Sequence, residues 1–256
     1  MQKRIISAIV MIILSVPFLI LGGYPYLALC VILGIVSLWE LAKQEKNMPK
    51  YMKWLSFIAC ILLIVYKNDI INYPLVVSMF LMYSFSVIIN KKIEKYNYKD
   101  GLLLFGMTFL VGLMFHSLVK IRAIGLYQTI YCILVANAVD TFALFGGKLL
   151  GKTKLCEDIS PNKTVEGSII GSVFGTIIGV VFYYFVIGNM QLSILIPITL
   201  VLTILAQVGD LFFSSIKRYY NIKDFSNIIP GHGGILDRLD SSLFVILGYL
   251  LYMVII

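Results

Sequence analysis

The chain has 256 residues, of which 60% are hydrophobic and 13% are charged. Apolar runs of nearly membrane-spanning length recur along it, which excludes an ordinary soluble domain and indicates a polytopic membrane protein of the all-α class. The net charge of +8 does not indicate a nucleic-acid partner, because Lys and Arg also orient membrane helices. The four Cys have no C-x-x-C spacing, so neither a zinc site nor a disulfide framework is expected.

Nine apolar segments predict about nine transmembrane helices. The first follows Lys3 and Arg4, as in a signal peptide, but no clean cleavage site follows it and the next apolar run begins at once. We therefore interpret it as a retained helix. The third is short for a hydrocarbon core of ~30 Å and would need flanking residues to cross it. The predicted segments are 5–22, 25–42, 54–66, 73–90, 102–119, 126–146, 168–187, 192–213 and 241–256.

The positions of the basic residues predict the orientation of the chain. If the N-terminus is cytoplasmic, 18 of the 21 Lys and Arg residues fall in cytoplasmic segments. Only Lys67, Lys120 and Arg122 fall on the other side. This is the bias that the positive-inside rule describes. We therefore predict a cytoplasmic N-terminus, an external C-terminus and cytoplasmic positions for all the long polar loops.

Polar residues concentrate in the second half of the chain. Residues 1–125 are expected to form scaffold helices, because their loops are short and mainly basic. Residues 126–256 are expected to form the functional region, with two cytoplasmic polar loops, within a single integral-membrane unit. The compact chain shows no targeting extension, so the expected location is a bacterial plasma membrane.

Two carboxylates are predicted at membrane depth. Asp140 lies within the sixth predicted helix, and Asp210 lies near the end of the eighth. A charged side chain at the bilayer centre costs ~2.5–3.5 kcal/mol on insertion scales, so such residues usually have a function. The alternative for both is a polar contact between helices or a position at the membrane interface.

Asp210, Ser214 and Lys217 are spaced to share one helical face. A carboxylate, a hydroxyl and an ammonium in one line then lead from the membrane into a charged loop. Mg²⁺ typically takes one or two carboxylates together with substrate phosphates. We therefore expect Mg²⁺ at Asp210 and phosphate oxygens near Ser214 and Lys217.

That charged loop contains a Pro-Gly-His-Gly-Gly turn, which cannot lie inside a helix. Asp237, after the turn, is a candidate metal ligand, whereas Asp240 could equally complement the dipole of the last helix. His232 could act as a base, bind phosphate or brace the turn, and the sequence does not separate these roles. The basic residues could also be simple membrane anchors. The residues expected to bind substrate here are Ser214, Arg218, Lys223, His232, Gly233, Gly234 and Arg238.

The second polar loop, Gly146–Gly167, contains a literal match to the P-loop pattern at residues 146–153. A P-loop requires a preceding strand and a following helix, whereas a membrane helix precedes this match and Cys-Glu-Asp-Ile-Ser-Pro follows it. We therefore reject the P-loop, although lysines and bare glycine amides can still help to hold a nucleotide. The expected substrate-binding residues are Lys148, Lys152, Ser160, Lys163 and Glu166, together with Asp140.

These two stretches carry a family resemblance. From Ser214 to Asp240, the pattern S-x-I-K-R-x₄-K-D-x-S-x₂-I-P-x-H-G-G-I-x-D-R-L-D is similar to the signature of the phosphatidate cytidylyltransferase (CDP-diacylglycerol synthase) family. Leu144 and Glu157 depart from the usual pattern of the family's upstream block. In the N-terminal half the resemblance rests on topology alone. The residues that resemble the upstream block are Asp140, Ala143, Gly147, Lys148, Gly151, Lys152, Ser160, Pro161, Lys163, Thr164, Glu166 and Gly167.

The resemblance implies transfer of CMP from CTP to phosphatidic acid, giving CDP-diacylglycerol and pyrophosphate, with Mg²⁺. It implies catalysis by Asp210, Lys217 and Asp237, with both aspartates as metal ligands and K⁺ as a candidate second ion. It also implies a membrane homodimer whose polar cavity opens to the cytoplasm and to the lipid. Because the lipid phosphate is already an anionic nucleophile, this reaction needs cations that bring two polyanions together rather than a general base.

Three alternatives remain. A CTP-dependent transferase could act on another lipid phosphate, since the signature concerns the nucleotide more than the lipid tails. Asp140 and Asp210 could form the cation path of a carrier, but the charges cluster on one membrane side and no inverted repeat is visible. A non-catalytic relative is disfavoured, because the charged residues of the signature are all present: Asp210, Lys217, Asp237 and Arg238.

Overall fold

A computed structural model describes residues 2–45, 48–66, 73–89 and 96–255, which are helical apart from loops and one short β-hairpin. Nine α-helices lie in these residues, in the order of the nine predicted segments. A π-helical turn, Tyr183–Ile187, continues α7. The elements are α1 (Gln2–Leu21), α2 (Gly23–Ala42), α3 (Lys50–Val65), α4 (Tyr73–Ile89), α5 (Tyr98–Ile124), α6 (Leu126–Leu150), β1 (Lys154–Cys156), β2 (Ser160–Thr164), α7 (Val165–Phe182), α8 (Leu192–Tyr219) and α9 (Leu236–Ile255).

Six of the described helices are long and apolar enough to cross a bilayer: α2, α5, α6, α7 with its π-helical turn, α8 and α9. Helices α1 and α4 contain shorter apolar stretches, Ile9–Leu21 and Leu75–Ile89. The chain is therefore a multi-pass membrane protein of the all-α class, as its composition predicts. The predicted total of nine crossings and the predicted orientation stay predictions.

Several helices extend beyond the predicted apolar segments. Helix α3 begins at Lys50, directly after Pro49, so it uses the flanking residues that its short apolar run needs. Helix α8 continues to Tyr219 and α9 begins at Leu236, whereas the apolar runs end at 213 and begin at 241. A helix can continue past the hydrocarbon core because its backbone hydrogen bonds stay internal. The charged groups that flank the loop between α8 and α9 are thereby held on helices.

The loop between α6 and α7 contains a β-hairpin that the sequence does not predict. Its strands pair antiparallel, with Lys154 opposite Thr164 and Cys156 opposite Ser160. The strands are only three and five residues long, and they lack the alternation of apolar and polar residues by which strands are recognised. Pairing satisfies backbone groups that a free loop would leave to water.

The chain divides into two compact units: Met1–Ser7 with Lys120–Ile256, and Ala8–Val119. In the second unit, buried hydroxyls join α3, α4 and α5. Tyr83 Oη donates to Ser56 Oγ over 2.7 Å and lies 2.9 Å from Thr108 Oγ1. These pairs remove the cost of burying polar groups. The domain boundary predicted at residue 125 stays a prediction, because compactness alone assigns no role.

In the first unit, the backbones of α6 and α7 lie in close contact. Gly167 and Gly171 face α6, one turn apart. A Cβ at Gly171 would lie 2.8 Å from the carbonyl oxygen of Val139, and one at Gly167 would lie 2.6 Å from that of Ala143. Small residues at this spacing let membrane helices approach closely. The hairpin that joins the two helices is therefore held beside α6 and its Asp140.

Candidate active site

A cavity of about 530 Å³ opens among α6, the hairpin, α7 and α8. Its wall combines apolar side chains with carboxylates, lysines and hydroxyls, which is the usual composition of a ligand site. It brings the second polar loop together with both carboxylates predicted at membrane depth. The lining residues are Asp140, Ala143, Leu144, Gly147, Lys148, Leu155, Ser160, Asn162, Lys163, Thr164, Ser168, Gln207 and Asp210.

Asp210 lies in the cavity wall and forms a salt bridge with a lysine of the hairpin. Lys163 Nζ, from β2, pairs with Asp210 Oδ2. Ser214 Oγ, one turn further along α8, donates to Asp210 Oδ1 over 3.2 Å. The side chains of Lys163 and Asp210 are 27% and 25% exposed. The pair is therefore accessible from the cavity, and the expected alignment of Asp210 with Ser214 is observed.

Three carboxylates from three helices lie close enough to repel one another: Asp140 on α6, Asp210 on α8 and Asp240 on α9. Ser241 Oγ donates to Asp140 Oδ1 over 3.3 Å, and the Ser241 N–H donates to Asp240 Oδ1 over 2.9 Å. Like charges repel one another, and a cation placed among them relieves that repulsion. Asp240, which could have served only the helix dipole, therefore belongs to a carboxylate cluster, defined here as Asp140, Asp210 and Asp240.

The two carboxylates in the cavity wall, Asp140 and Asp210, fit a hard divalent cation that takes its other ligands from phosphates and water. In the described part of the chain, no three His, Cys, Asp or Glu side chains are grouped so as to hold a metal ion by themselves. Mg²⁺ does not require such a group, because it usually binds one or two carboxylates and takes its other oxygens from phosphates and water. A lysine ammonium already lies at Asp210, so the position accepts positive charge. The oxygen donors of Asp210 and Asp140 are the type that Mg²⁺ prefers.

Asp237 does not line this cavity but lies where α8, α9 and the loop between them meet. Lys217 Nζ donates to Asp237 Oδ1 over 2.8 Å. The backbone N–H groups of Phe225 and Gly234 donate to Asp237 Oδ2 over 2.9 and 2.8 Å. The Lys217 and Asp237 side chains are only 11% and 2% exposed. This carboxylate therefore holds the loop against both helices, and the metal role predicted for Asp237 and the catalytic role predicted for Lys217 stay predictions.

The glycine turn lets the backbone approach Asp237. Gly233 has a φ of 89°, and a Cβ there would lie 3.0 Å from Asp237 Oδ2, so a side chain would be both strained and crowded. His232 Nδ1 lies 2.7 Å from Ser7 Oγ, on α1. Of the three roles left open for His232, this contact fits bracing of the turn. Sequence analysis did not identify Ser7, because nothing local links it to the loop.

The other basic residues differ in what they contact. Arg218 Nε donates to the carbonyl oxygen of Ile159 over 3.1 Å, and Arg218 Nη1 donates to that of Ile222 over 3.1 Å. Arg218 therefore ties the hairpin turn to the end of α8. Lys148 lines the cavity. The remaining predicted basic residues, which are exposed, are Lys152, Lys223 and Arg238.

Glu166, at the start of α7, accepts hydrogen bonds from the backbone of the loop that follows α6. Its carboxylate accepts the backbone N–H groups of Lys152 over 3.1 Å and Thr153 over 3.2 Å. In a P-loop, backbone N–H groups of the loop hold phosphate. Here a side-chain carboxylate takes two of them, a helix precedes the motif and a strand follows it, so the rejection of the P-loop is correct. The substrate contact predicted for Glu166 stays a prediction.

The cavity wall also contains an amide that the sequence analysis missed. Gln207 Nε2 donates to Ser172 Oγ over 2.8 Å, and Ser168 Oγ donates to Gln207 Oε1. Gln207 precedes Asp210 by about one helical turn, so both face the cavity. A polar amide within an apolar helix, one turn from a carboxylate, is the signal that could have identified it.

The whole chain matches one protein family, since residues 2–256 match the model of the cytidylyltransferase family. The chain belongs to this family. A protein of Staphylococcus aureus (strain COL) named phosphatidate cytidylyltransferase is 34% identical over 255 residues, which cover 96% of this chain and 96% of that protein. Proteins of the same name from Staphylococcus saprophyticus and Staphylococcus haemolyticus are 33% and 32% identical, with the same coverage. The family resemblance seen in two polar stretches is confirmed and extends over both halves of the chain.

Proposed function

We propose that this chain transfers CMP from CTP to phosphatidic acid, forming CDP-diacylglycerol and pyrophosphate for phospholipid biosynthesis. One observation carries the proposal. Relatives named phosphatidate cytidylyltransferase match this chain over 96% of its length and over 96% of their own. Such a match includes both polar loops and every helix that positions them, so a single shared segment does not explain it.

The cavity offers what this reaction requires. A phosphate oxygen of phosphatidic acid attacks the α-phosphorus of CTP, and the bond from that phosphorus to the bridging oxygen of the β-phosphate breaks as pyrophosphate leaves. The attacking oxygen is already anionic, so no side chain has to remove a proton from it. Two polyanions must approach, which makes positive charge in the site the main requirement. Lys148 and Lys163 supply such charge in the cavity wall.

Mg²⁺ is proposed at Asp210, with Asp140, the other carboxylate of the cavity wall, as a further oxygen donor. When bound, the ion would neutralise charge on the nucleotide phosphates and on the leaving pyrophosphate. Ser214 orients the Asp210 carboxylate through its hydrogen bond. The family resemblance alone supports two further parts of the proposal, Asp237 as a metal ligand and K⁺ as a second ion.

The proposed active site faces the cytoplasm of a bacterial cell, with the N-terminus inside and the C-terminus outside. The distribution of Lys and Arg supports this orientation. The contact between Ser7 and His232 supports it too, because it requires the start of α1 and the glycine turn to lie on the same side of the membrane. The proposed homodimer rests on the family resemblance.

The test is a reaction of the purified protein in detergent micelles with Mg²⁺, CTP and phosphatidic acid. We expect release of pyrophosphate that requires both substrates, together with CDP-diacylglycerol identified by mass spectrometry. Replacing phosphatidic acid with a polyprenyl phosphate tests the lipid. Product from the polyprenyl phosphate alone would replace the proposed substrate, and no product from any lipid phosphate would contradict the transferase.

A further inference from the structure

The cavity wall holds two carboxylates and two lysines: Asp140, Asp210, Lys148 and Lys163. Asp240, on α9, does not line the cavity but lies close enough to repel both carboxylates. Lys163 enters from the hairpin, forms the salt bridge with Asp210 and also attracts the Asp140 carboxylate. Its ammonium therefore lies where a cation would relieve repulsion between two of the acids.

The salt bridge between Lys163 and Asp210 can open at low cost. Both of its side chains are about one quarter exposed, so water can solvate each partner when they separate. Lys163 lies on β2 of a hairpin whose turn Arg218 ties to α8, so only the Lys163 side chain, and not the hairpin, has to move for the pair to separate. The lysine ammonium is a compact charge on a flexible stem of four carbons. Nothing in this geometry requires the ammonium to stay on Asp210 once another cation arrives.

We propose that Lys163 is a tethered counter-ion, which occupies the cation position at Asp210 until a divalent metal ion displaces it. The released ammonium then lies in the same cavity as the phosphates and can bind them. This inference rests on the proposed function, because it assumes the divalent site proposed at Asp210. It assigns Lys163 a second role beyond substrate binding, as the group with which the metal competes.

Competition for one carboxylate has a measurable consequence. If Lys163 and the metal ion exclude each other from Asp210, removal of the lysine charge must tighten metal binding in the absence of nucleotide. In the wild type the metal ion has to separate Lys163 from Asp210 before it can bind. The cost of breaking this salt bridge therefore offsets part of the free energy of metal binding. Two effects contribute to the gain: a partly exposed salt bridge no longer has to break, and the Lys163 ammonium no longer repels the metal ion. Together they predict a metal affinity that is roughly five- to tenfold higher.

The test measures Mn²⁺ binding to the full-length protein in detergent, without nucleotide or phosphatidic acid, from the electron paramagnetic resonance signal of free Mn²⁺. Lys163→Met should bind Mn²⁺ roughly five- to tenfold more tightly than the wild type. Lys148→Met is the matched control, since it removes the same charge from the same cavity without breaking a described salt bridge. Lys163→Arg keeps the charge and should retain the wild-type affinity.

Two results would overturn the proposal: equal Mn²⁺ affinity in Lys163→Met and the wild type, or an equal gain in Lys163→Met and Lys148→Met. The double variant Lys163→Met/Asp210→Asn shows whether the gain depends on Asp210, and a gain that persists in it would also overturn the proposal. CDP-lipid formation by the same wild-type preparation is measured in parallel. Product without tighter Mn²⁺ binding in Lys163→Met refutes the counter-ion alone, whereas tighter binding without product from any lipid phosphate refutes the proposed reaction and supports the counter-ion.

Discussion

Two lysine–aspartate pairs in the C-terminal half carry the same charges but lie in different surroundings. Lys217 and Asp237 are almost fully buried, and two backbone N–H groups also donate to Asp237. Lys163 and Asp210 are partly exposed and line an open cavity. The sequence predicts both Asp210 and Asp237 to be metal ligands, but only Asp210 is accessible from the cavity. Charge and motif position alone do not show which pair water or an ion can reach; the exposed fraction of the side chains does.

The energetics of the two pairs differ for the same reason. Burying two charges is costly, and only good geometry with further hydrogen bonds offsets it, so loss of one partner leaves an uncompensated charge. A partly exposed pair contributes ~1 kcal/mol or less, because water competes for both groups. Loss of one partner is therefore expected to cost more stability in the first pair than in the second.

Asp237→Ala is expected to have the largest effect, a loss of ~3–5 kcal/mol in the free energy of unfolding. The substitution leaves Lys217 buried without its partner and removes the acceptor of two backbone N–H groups. Denaturation of the purified protein in detergent measures the loss. Asp210→Ala is the matched control, because it removes the aspartate of the partly exposed pair.

The double variant Lys217→Met/Asp237→Asn separates the two causes of that loss. It removes the buried lysine charge and keeps an acceptor oxygen at residue 237, so it should recover much of the lost stability. Equal stability of Asp237→Ala and Asp210→Ala would contradict the comparison between the two pairs. A double variant as unstable as Asp237→Ala would show that backbone contacts, and not the unpaired lysine, hold the loop.

Asp210→Asn, unlike Asp237→Ala, should leave the stability almost unchanged and reduce the activity strongly. Loss of one electrostatic contact made in the transition state typically lowers turnover by roughly 10²–10³-fold, whereas a partly exposed salt bridge contributes ~1 kcal/mol or less to stability. The measurements are the rate of CDP-lipid formation at saturating CTP and the midpoint of thermal unfolding. Near wild-type turnover in Asp210→Asn would exclude Asp210 as a metal ligand.

Gly171→Ala tests the helix packing that positions Asp140 beside the Lys163–Asp210 pair. The added Cβ would lie 2.8 Å from the carbonyl oxygen of Val139, a backbone atom that cannot move without shifting α6. We expect a loss of ~1–3 kcal/mol in unfolding free energy. Gly106→Ala is the control, because a Cβ there meets no atom within 4 Å. It should stabilise α5 by ~0.5–1 kcal/mol, and equal effects of the two substitutions would contradict close packing of α6 and α7.

The order of the helices could be predicted because long apolar runs are a strong and local signal. Their ends could not, since α8 and α9 continue into polar sequence where hydropathy no longer marks the helix. The short hairpin could not be predicted, because β1 and β2 lack the alternation of apolar and polar residues that marks a strand.

The candidate site was predictable by residue type but not by pairing. Asp140, Asp210 and Lys163 were identified as site residues, and the cavity brings them together. The helical spacing predicts Lys217 on the same face as Asp210, and in the structure Lys217 forms its salt bridge with Asp237. The sequence alone leaves two roles open for Asp240, which in the structure belongs to the carboxylate cluster. Which lysine meets which aspartate depends on helix packing between distant parts of the chain, and no local pattern encodes it.

Glu166→Gln should have the smallest effect, and it tests the start of the loop after α6, where Glu166 holds Lys152 and Thr153. Glutamine keeps one acceptor oxygen but loses the charge that strengthens the contacts with the Lys152 and Thr153 N–H groups. If Glu166 only positions the loop, the KM for CTP should rise several-fold while kcat changes little, since uniform binding is weakened. Steady-state kinetics at varied CTP measure this. Glu166→Asp, which keeps the charge on a shorter side chain, distinguishes charge from reach. A fall in kcat at unchanged KM would instead mean that Glu166 acts on the reacting groups, because an interaction made only in the transition state does not affect ground-state binding.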